Sequence, residues 1–151
     1  MKPFILLIVV FGMAAVFFKI SSGTWHFVFV GNLAMFFMLC LTGIAHFKFT
    51  EGMTMMIPGL IPFKKELVYF TGLAEITLGL GLLFPQFRYG AGIALVLLFV
   101  IMLPANISAA INHINYEKAG YDGQGPAYLW FRIPLQLFFI AWVFFFSVKN
   151  N

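Results

Sequence analysis

The sequence predicts an all-α fold, a transmembrane helical bundle, and three observations carry that expectation. Of the 151 residues, 62% are hydrophobic and only 9% charged, against about 25% charge in an ordinary soluble domain. The apolar residues gather in five runs, each near the ~20 residues a spanning helix needs. Within each run hydrophobicity is continuous, without the alternation of a membrane strand, which leaves helices, whose backbone groups satisfy one another in lipid. Together with a mean hydropathy of +0.99, this excludes a water-soluble enzyme, a nucleic-acid binder and a disordered tail.

The first run, residues 3–20, follows Lys2. Its basic start, its apolar stretch to Phe18 and the small Ser21 and Gly23 also fit a signal peptide, but the apolar core outruns the usual stretch of about 7 to 15 residues. Residues 1–24 are therefore read as a retained amino-terminal span, and residues 25–151 as a second unit of four spans. The second run, 25–47, ends in Gly43, His46 and Phe47. The connection after it, 49–63, holds Met53, Met55, Met56, Leu60 and Ile61 and is too apolar for a loop in water. It should lie in the membrane interface or fold back onto the bundle. Pro58 and Pro62 forbid a regular helix through it, so one short helical turn and an extended corner are expected.

The third run, 65–84, centres on Glu75, with Thr71 and Gly72 one turn before it and Gly79 one turn after. These positions share a face; the small residues admit a neighbouring helix and turn Glu75 inward. In the fourth run, 88–111, Asn106, Ala109 and Ala110 share a face with His113, and Pro104 favours a bend just before them. The stretch 112–126, with Gly120, Asp122, Gly123, Gly125 and Pro126, is made of turn formers and reads as a solvated loop. In the fifth run, 127–148, Arg132 and Gln136 stand one turn apart with Pro134 between them.

Alternation of five spans puts Lys2, Lys48, Lys64, Lys65 and Lys118 on one side, with Arg132 just inside it, and Lys19, Arg88 and Lys149 on the other. The positive-inside rule then places the amino terminus and the two longer connections in the cytoplasm. The nine basic residues flank apolar runs and form no single patch, so the expected partner is membrane lipid and not nucleic acid. Cys40, the only cysteine, allows no intrachain disulfide and no cysteine-rich metal centre.

An ionisable side chain at membrane depth costs about 2.5 to 3.5 kcal/mol, so each needs a partner or a use. At about 1.5 Å rise per residue, His46, Arg132, Asn106, Gln136 and Glu75 descend in that order through the cytoplasmic half. The outer half offers nothing comparable, which describes a polar funnel ending at Glu75 near the midplane. Interhelical hydrogen bonds, worth about 0.6 kcal/mol on average, are the rival reading, and Arg132 can simply snorkel to headgroups. For Asn106 and Gln136 the two readings weigh equally; a midplane carboxyl is too costly a way to join helices.

Such a constellation suits a small amphipathic ligand, a quinone or an isoprenoid-like lipid. Arg132, Asn106 and Gln136 would donate to a carbonyl, His46 would stand at the mouth, and Glu75 would be the catalytic group, exchanging the proton that quinone reduction consumes. Whether catalysis occurs at all is left open. The sequence has no flavin or nucleotide motif and no pair of redox cysteines, so electrons would come from a soluble or membrane redox partner. No metal ligands are assigned, and haem held by His46 and His113 is the weakest cofactor reading. The alternative class is a non-enzymatic accessory subunit or membrane chaperone that packs Gly72, Gly79, Gly90, Gly92 and Ala94 against a partner membrane protein or a second copy. A transporter ranks third, because no broken-helix pair repeats across two halves.

The residues between Asn32 and Ser147 also carry a family likeness: Gly43 to Phe47 closing one span, MIPGLIP at Met56 to Pro62, TGLAEITLGLGLL at Thr71 to Leu83, PANI at Pro104 to Ile107 and RIPLQ at Arg132 to Gln136. In this order they resemble the DoxX-like family of small four-helix membrane proteins. The resemblance implies a four-helix core, with the first run outside it, and an inward glutamate on the second core helix, which is Glu75 here. It further implies the inner membrane of a bacterium, and a link to quinones through the thiosulfate:quinone oxidoreductase subunit that gives the family its name.

Overall fold

The computed structural model describes residues 2–150, so residues 1 and 151, which close the two expected units, lie outside the described residues. Six α-helices and no strand occur among the described residues: α1 (Lys2–Ser22), α2 (Phe27–Lys48), α3 (Thr50–Met56), α4 (Lys64–Gly81), α5 (Pro85–Ile111) and α6 (Leu129–Val143). A single 3-10 turn, Pro126–Tyr128, leads into α6, and a π-helical stretch, Phe144–Lys149, continues it. All five apolar runs are helical, with ends moved by at most one turn. Four segments, α1, α2, α5 and Pro126–Lys149, are long and apolar enough to cross a membrane. The helix α4 is not among them, because its 18 residues include Lys64, Lys65, Glu66 and Glu75. Its length of about 27 Å also falls just short of the ~30 Å hydrocarbon thickness.

The boundaries have local causes. After α1 the chain turns through Gly23 at φ 72°, where glycine adopts the left-handed region at no steric cost, and the Gly23 N–H bonds the Lys19 carbonyl at 3.1 Å. Pro85 opens α5 at a position whose N–H a helix does not use. The Met- and Pro-rich connection folds back: α3 is two turns long, not one, and buries Thr50, Gly52 and Met56. Gly52 is required there, since a Cβ would collide with the backbone of Tyr116. Pro58 and Pro62 then shape an exposed corner, closed by a bond from the Ile61 N–H to the Pro58 carbonyl (3.1 Å).

Successive long helices run in opposite directions. Gly43 of α2 lies on Gly72 of α4 while Leu39 lies on Gly79. At the other end the Trp142 indole N–H reaches the Gly31 carbonyl at 3.0 Å. Lys2 pairs with Glu117 at 3.1 Å, so the start of α1 and the 112–126 loop share the end that also holds Lys48 and Lys64. Leu7, Met35, Leu39, Leu82, Leu95 and Val143 are fully buried between the helices. The peripheral place of α1 is plain, since it buries only Leu7 and Ala15 and docks by ring contacts, Phe4 on Phe138 at 5.5 Å and Phe11 on Trp142 at 5.1 Å.

Candidate functional site

Close approach of α2 and α4 builds the first half of the site. A Cβ on Gly43 would lie 2.8 Å from the Gly72 carbonyl oxygen, and one on Gly72 would lie 2.6 Å from the Cβ of His46. Two glycines thus let the helices meet backbone to backbone, as small residues do in tight interhelical contacts. The contact drives His46 and Glu75 together inside the bundle, where they are 5% and 3% exposed. His46 Nδ1 lies 2.9 Å from the Thr42 carbonyl, and because a carbonyl only accepts, the ring proton sits on Nδ1. The same nitrogen is 4.0 Å from Glu75 Oε2, too far for a hydrogen bond. Glu75 Oε2 therefore has no hydrogen-bond partner among the described residues although it is fully buried.

The second half lies between α5 and α6. Arg132, half-buried, donates from Nη2 to Asn106 Oδ1 at 2.7 Å. Asn106 in turn donates from Nδ2 to Gln136 Oε1 at 3.3 Å, and Gln136 donates from Nε2 to the Phe99 carbonyl at 2.8 Å. Pro104, inside α5, lacks the N–H that would bond the carbonyl four residues back, Val100, so the Phe99 acceptor lies one residue before the carbonyl that the proline leaves free. The α5 helix nonetheless continues unbroken through Pro104 to Ile111. Asn106 is the hub of this chain, and Asn106→Leu should strand both Gln136 Oε1 and the guanidinium. Unfolding in detergent is expected to show a loss of about 1 to 3 kcal/mol, and adding Arg132→Met should cost less than its separate effect, since the two share one bond.

The five predicted polar residues thus form a carboxyl–imidazole pair on α2 and α4, and a guanidinium–amide–amide chain on α5 and α6. No hydrogen bond or ion pair among the described residues joins the two groups. Arg132 faces Tyr116 in the adjoining loop, where burial pushes the phenol above its ordinary value while Arg132 pulls it back. His113 is exposed at the end of α5, with its ring packed on Gly125. Among the described residues no three His, Cys, Asp or Glu side chains gather as metal ligands would.

Two surface hollows lie elsewhere. One is lined by Thr77, Phe84, Phe87 and neighbours at the far end of α4. The other lies over the lysine-rich end, between Lys48, Thr50, Lys65, Tyr69, Tyr116 and Lys118. Neither hollow reaches Glu75, Asn106 or Gln136, which are buried and do not line an open funnel to the surface.

The far half is not empty of polar groups, contrary to the sequence reading. Asn32, fully buried, donates to the carbonyls of Val28 (2.9 Å) and Phe146 (3.0 Å) and accepts from Ser147 Oγ (2.5 Å). Arg88 is 8% exposed and donates from Nε to the Leu82 carbonyl at 3.0 Å. In the sequence reading Asn32 only bounds the family likeness and is given no role, and Arg88 is a charge flanking an apolar run. Only the π-helical register after Val143, which turns Ser147 and the Phe146 carbonyl toward α2, gives Asn32 its partners. Unlike Glu75, these groups are satisfied, and they bind helices together.

Residues 33–147 match the family described as a domain of unknown function, DUF8561. The match takes in most of the chain, includes all five site residues, and leaves α1 outside. No curated protein and no solved structure matches the chain.

Proposed function

The chain belongs to the DUF8561 family, and we propose that it is a multi-pass integral membrane protein whose bundle holds the polar head of a small amphipathic molecule, a quinone or an isoprenoid-like lipid. In this reading α4 crosses with the four longer apolar segments, and the lysine-rich end faces the cytoplasm. One observation carries the reading: the buried Glu75 Oε2 has no partner, while every polar side chain of the Asn32 cluster has one. A buried polar atom left unpaired costs about 1 to 3 kcal/mol, and function is the usual reason for keeping one at membrane depth.

The chemistry divides between the two halves. Arg132 has one hydrogen-bond partner, Asn106, among the described residues, so the rest of its fork is available to a ligand carbonyl, as a guanidinium offers five donors. Glu75 and His46 supply groups able to exchange a proton with a head that is being reduced. Electrons would come from a redox partner. The DoxX-like likeness is retained as a proposal, on the order of the quoted motifs and the inward place of Glu75.

Photo-crosslinking with a quinone probe in native membranes tests the reading. Labelling is expected on the wild-type chain and should fall at least about tenfold, equivalent to ~1.4 kcal/mol of binding, in Glu75→Gln and in Asn106→Ala. Undiminished labelling of both variants would overturn it. Co-purification of the wild type with a second polypeptide, and no labelling, would favour an accessory subunit. Contrary to the sequence reading, Gly72, Gly79 and Gly92 are already closed on His46, Leu39 and Ser147 within the chain, which leaves Gly90 open to such a partner.

A further inference from the structure

We propose that the corner between α3 and α4, residues 59–63, is an interfacial anchor that seats in the headgroup–acyl boundary of the lysine-rich membrane face. The inference rests on the membrane reading of the bundle, not on the ligand reading of the site. Its starting point is an exposure pattern that water does not explain. Leu60 is 97% exposed, Phe63 77% and Ile61 40%, and no charged side chain occurs from Gly52 to Phe63. The rest of the connection is not loose: Met56 and Ile57 are buried against the bundle, so the exposed apolar tip is held out by a docked stem.

The tip is also pre-shaped. Pro58 and Pro62 fix two backbone angles, the Ile61 N–H closes a turn on the Pro58 carbonyl at 3.1 Å, and Lys64 Nζ ties back to the Ile57 carbonyl at 2.8 Å. Phe63 sits at φ 53°, in the left-handed region that bulky residues avoid. Glycine or asparagine would occupy that position at lower cost if the ring faced water. A strained, exposed phenylalanine is retained where an apolar medium receives it. The medium is chosen by charge. Lys64 and Lys65 follow directly, with Glu66 next. At the same end Lys118 is paired with Asp122 at 3.4 Å, Lys2 with Glu117 at 3.1 Å, and Lys48 stands near Glu51, so the two lysines adjoining the tip are the ones set to meet anionic headgroups, and the corner enters at their level. Rigid apolar groups at that depth bind without an ordering cost.

Spin labels report depth directly. On a Cys40→Ala background, nitroxides are placed at Leu60→Cys and, separately, at Phe63→Cys, with Leu97→Cys on the outer face of α5 and Tyr121→Cys in the 112–126 loop as references; Leu97 and Tyr121 are 57% and 73% exposed. The chain is reconstituted in vesicles with and without anionic lipid, and collisions with oxygen are compared with collisions with a water-soluble nickel chelate. At positions 60 and 63 the oxygen-to-nickel ratio is expected to be several-fold above that at 121 and below that at 97. Anionic lipid should raise it further. A ratio at 60 and 63 equal to that at 121, while 97 remains in lipid, would overturn the anchor and leave the membrane reading standing. Loss of both collisions at 60 and 63 would also overturn it, showing protein in that place. A label at 97 as open to nickel as that at 121 would overturn the membrane reading itself.

Discussion

Glu75→Leu is expected to leave the bundle as stable as the wild type, or up to about 2 kcal/mol more stable, while removing quinone-probe labelling. The carboxyl oxygen Oε2 is buried without a partner, and an unsatisfied buried group costs about 1 to 3 kcal/mol that an apolar side chain of similar size does not. His46 loses nothing on the change, because its Nδ1 proton already goes to the Thr42 carbonyl at 2.9 Å. The imperfect fit of a branched side chain subtracts a fraction of the gain. At about 2 to 4 °C per kcal/mol for a chain of this size, the unfolding midpoint in detergent should stay level or rise by a few degrees. A residue that serves packing behaves oppositely: removing Asn32, whose amide fills three bonds, should lower the midpoint. A Glu75→Leu midpoint that falls with labelling intact would make the carboxyl structural and sink the functional reading.

That contrast also marks how far the sequence can be read. The helices were legible because apolar run length and turn chemistry are local properties: each apolar run returns as a helix, and the glycines of 112–126 keep that stretch out of one. The start of α5 at Pro85, three residues before the expected run, and the turn at Gly23 were not read. The inward face of α4 was legible as well, since Gly72, Glu75 and Gly79 share one side at helical spacing, and all three are buried. What the spacing could not supply was who meets whom. Depth along each span put Glu75 and Gln136 at one level, yet the carboxyl ends beside His46, because the Gly43–Gly72 contact brings α2 against α4 while Asn106 claims both Arg132 and Gln136. The Asn32 and Arg88 bonds were hidden for another reason. They depend on backbone carbonyls exposed by the π-helical stretch and by the end of α4, and no residue type announces a carbonyl.

Gly72→Ala should be the more damaging change although it adds a single methyl group. The new Cβ would lie 2.6 Å from the Cβ of His46 and 3.0 Å from the Gly43 carbonyl oxygen, and neither is the free end of a flexible side chain that can swing aside. Relief requires α2 and α4 to separate over their length, because the same seam is closed at Gly43 on Ile76 and at Gly79 on Leu39. Overpacking of this kind costs typically about 1 to 3 kcal/mol, and two rigid helices place it at the upper end. The midpoint should fall by roughly 6 to 12 °C at about 2 to 4 °C per kcal/mol. Gly90→Ala is the matched control, since a Cβ there meets nothing within 4 Å and should raise helix propensity slightly, by under about 1 kcal/mol. The two glycines share their chemistry and differ only in what faces them, so equal midpoints would mean that α2 and α4 do not touch along Gly43 and Gly72, and the carboxyl–imidazole pair built on that seam would fall with it.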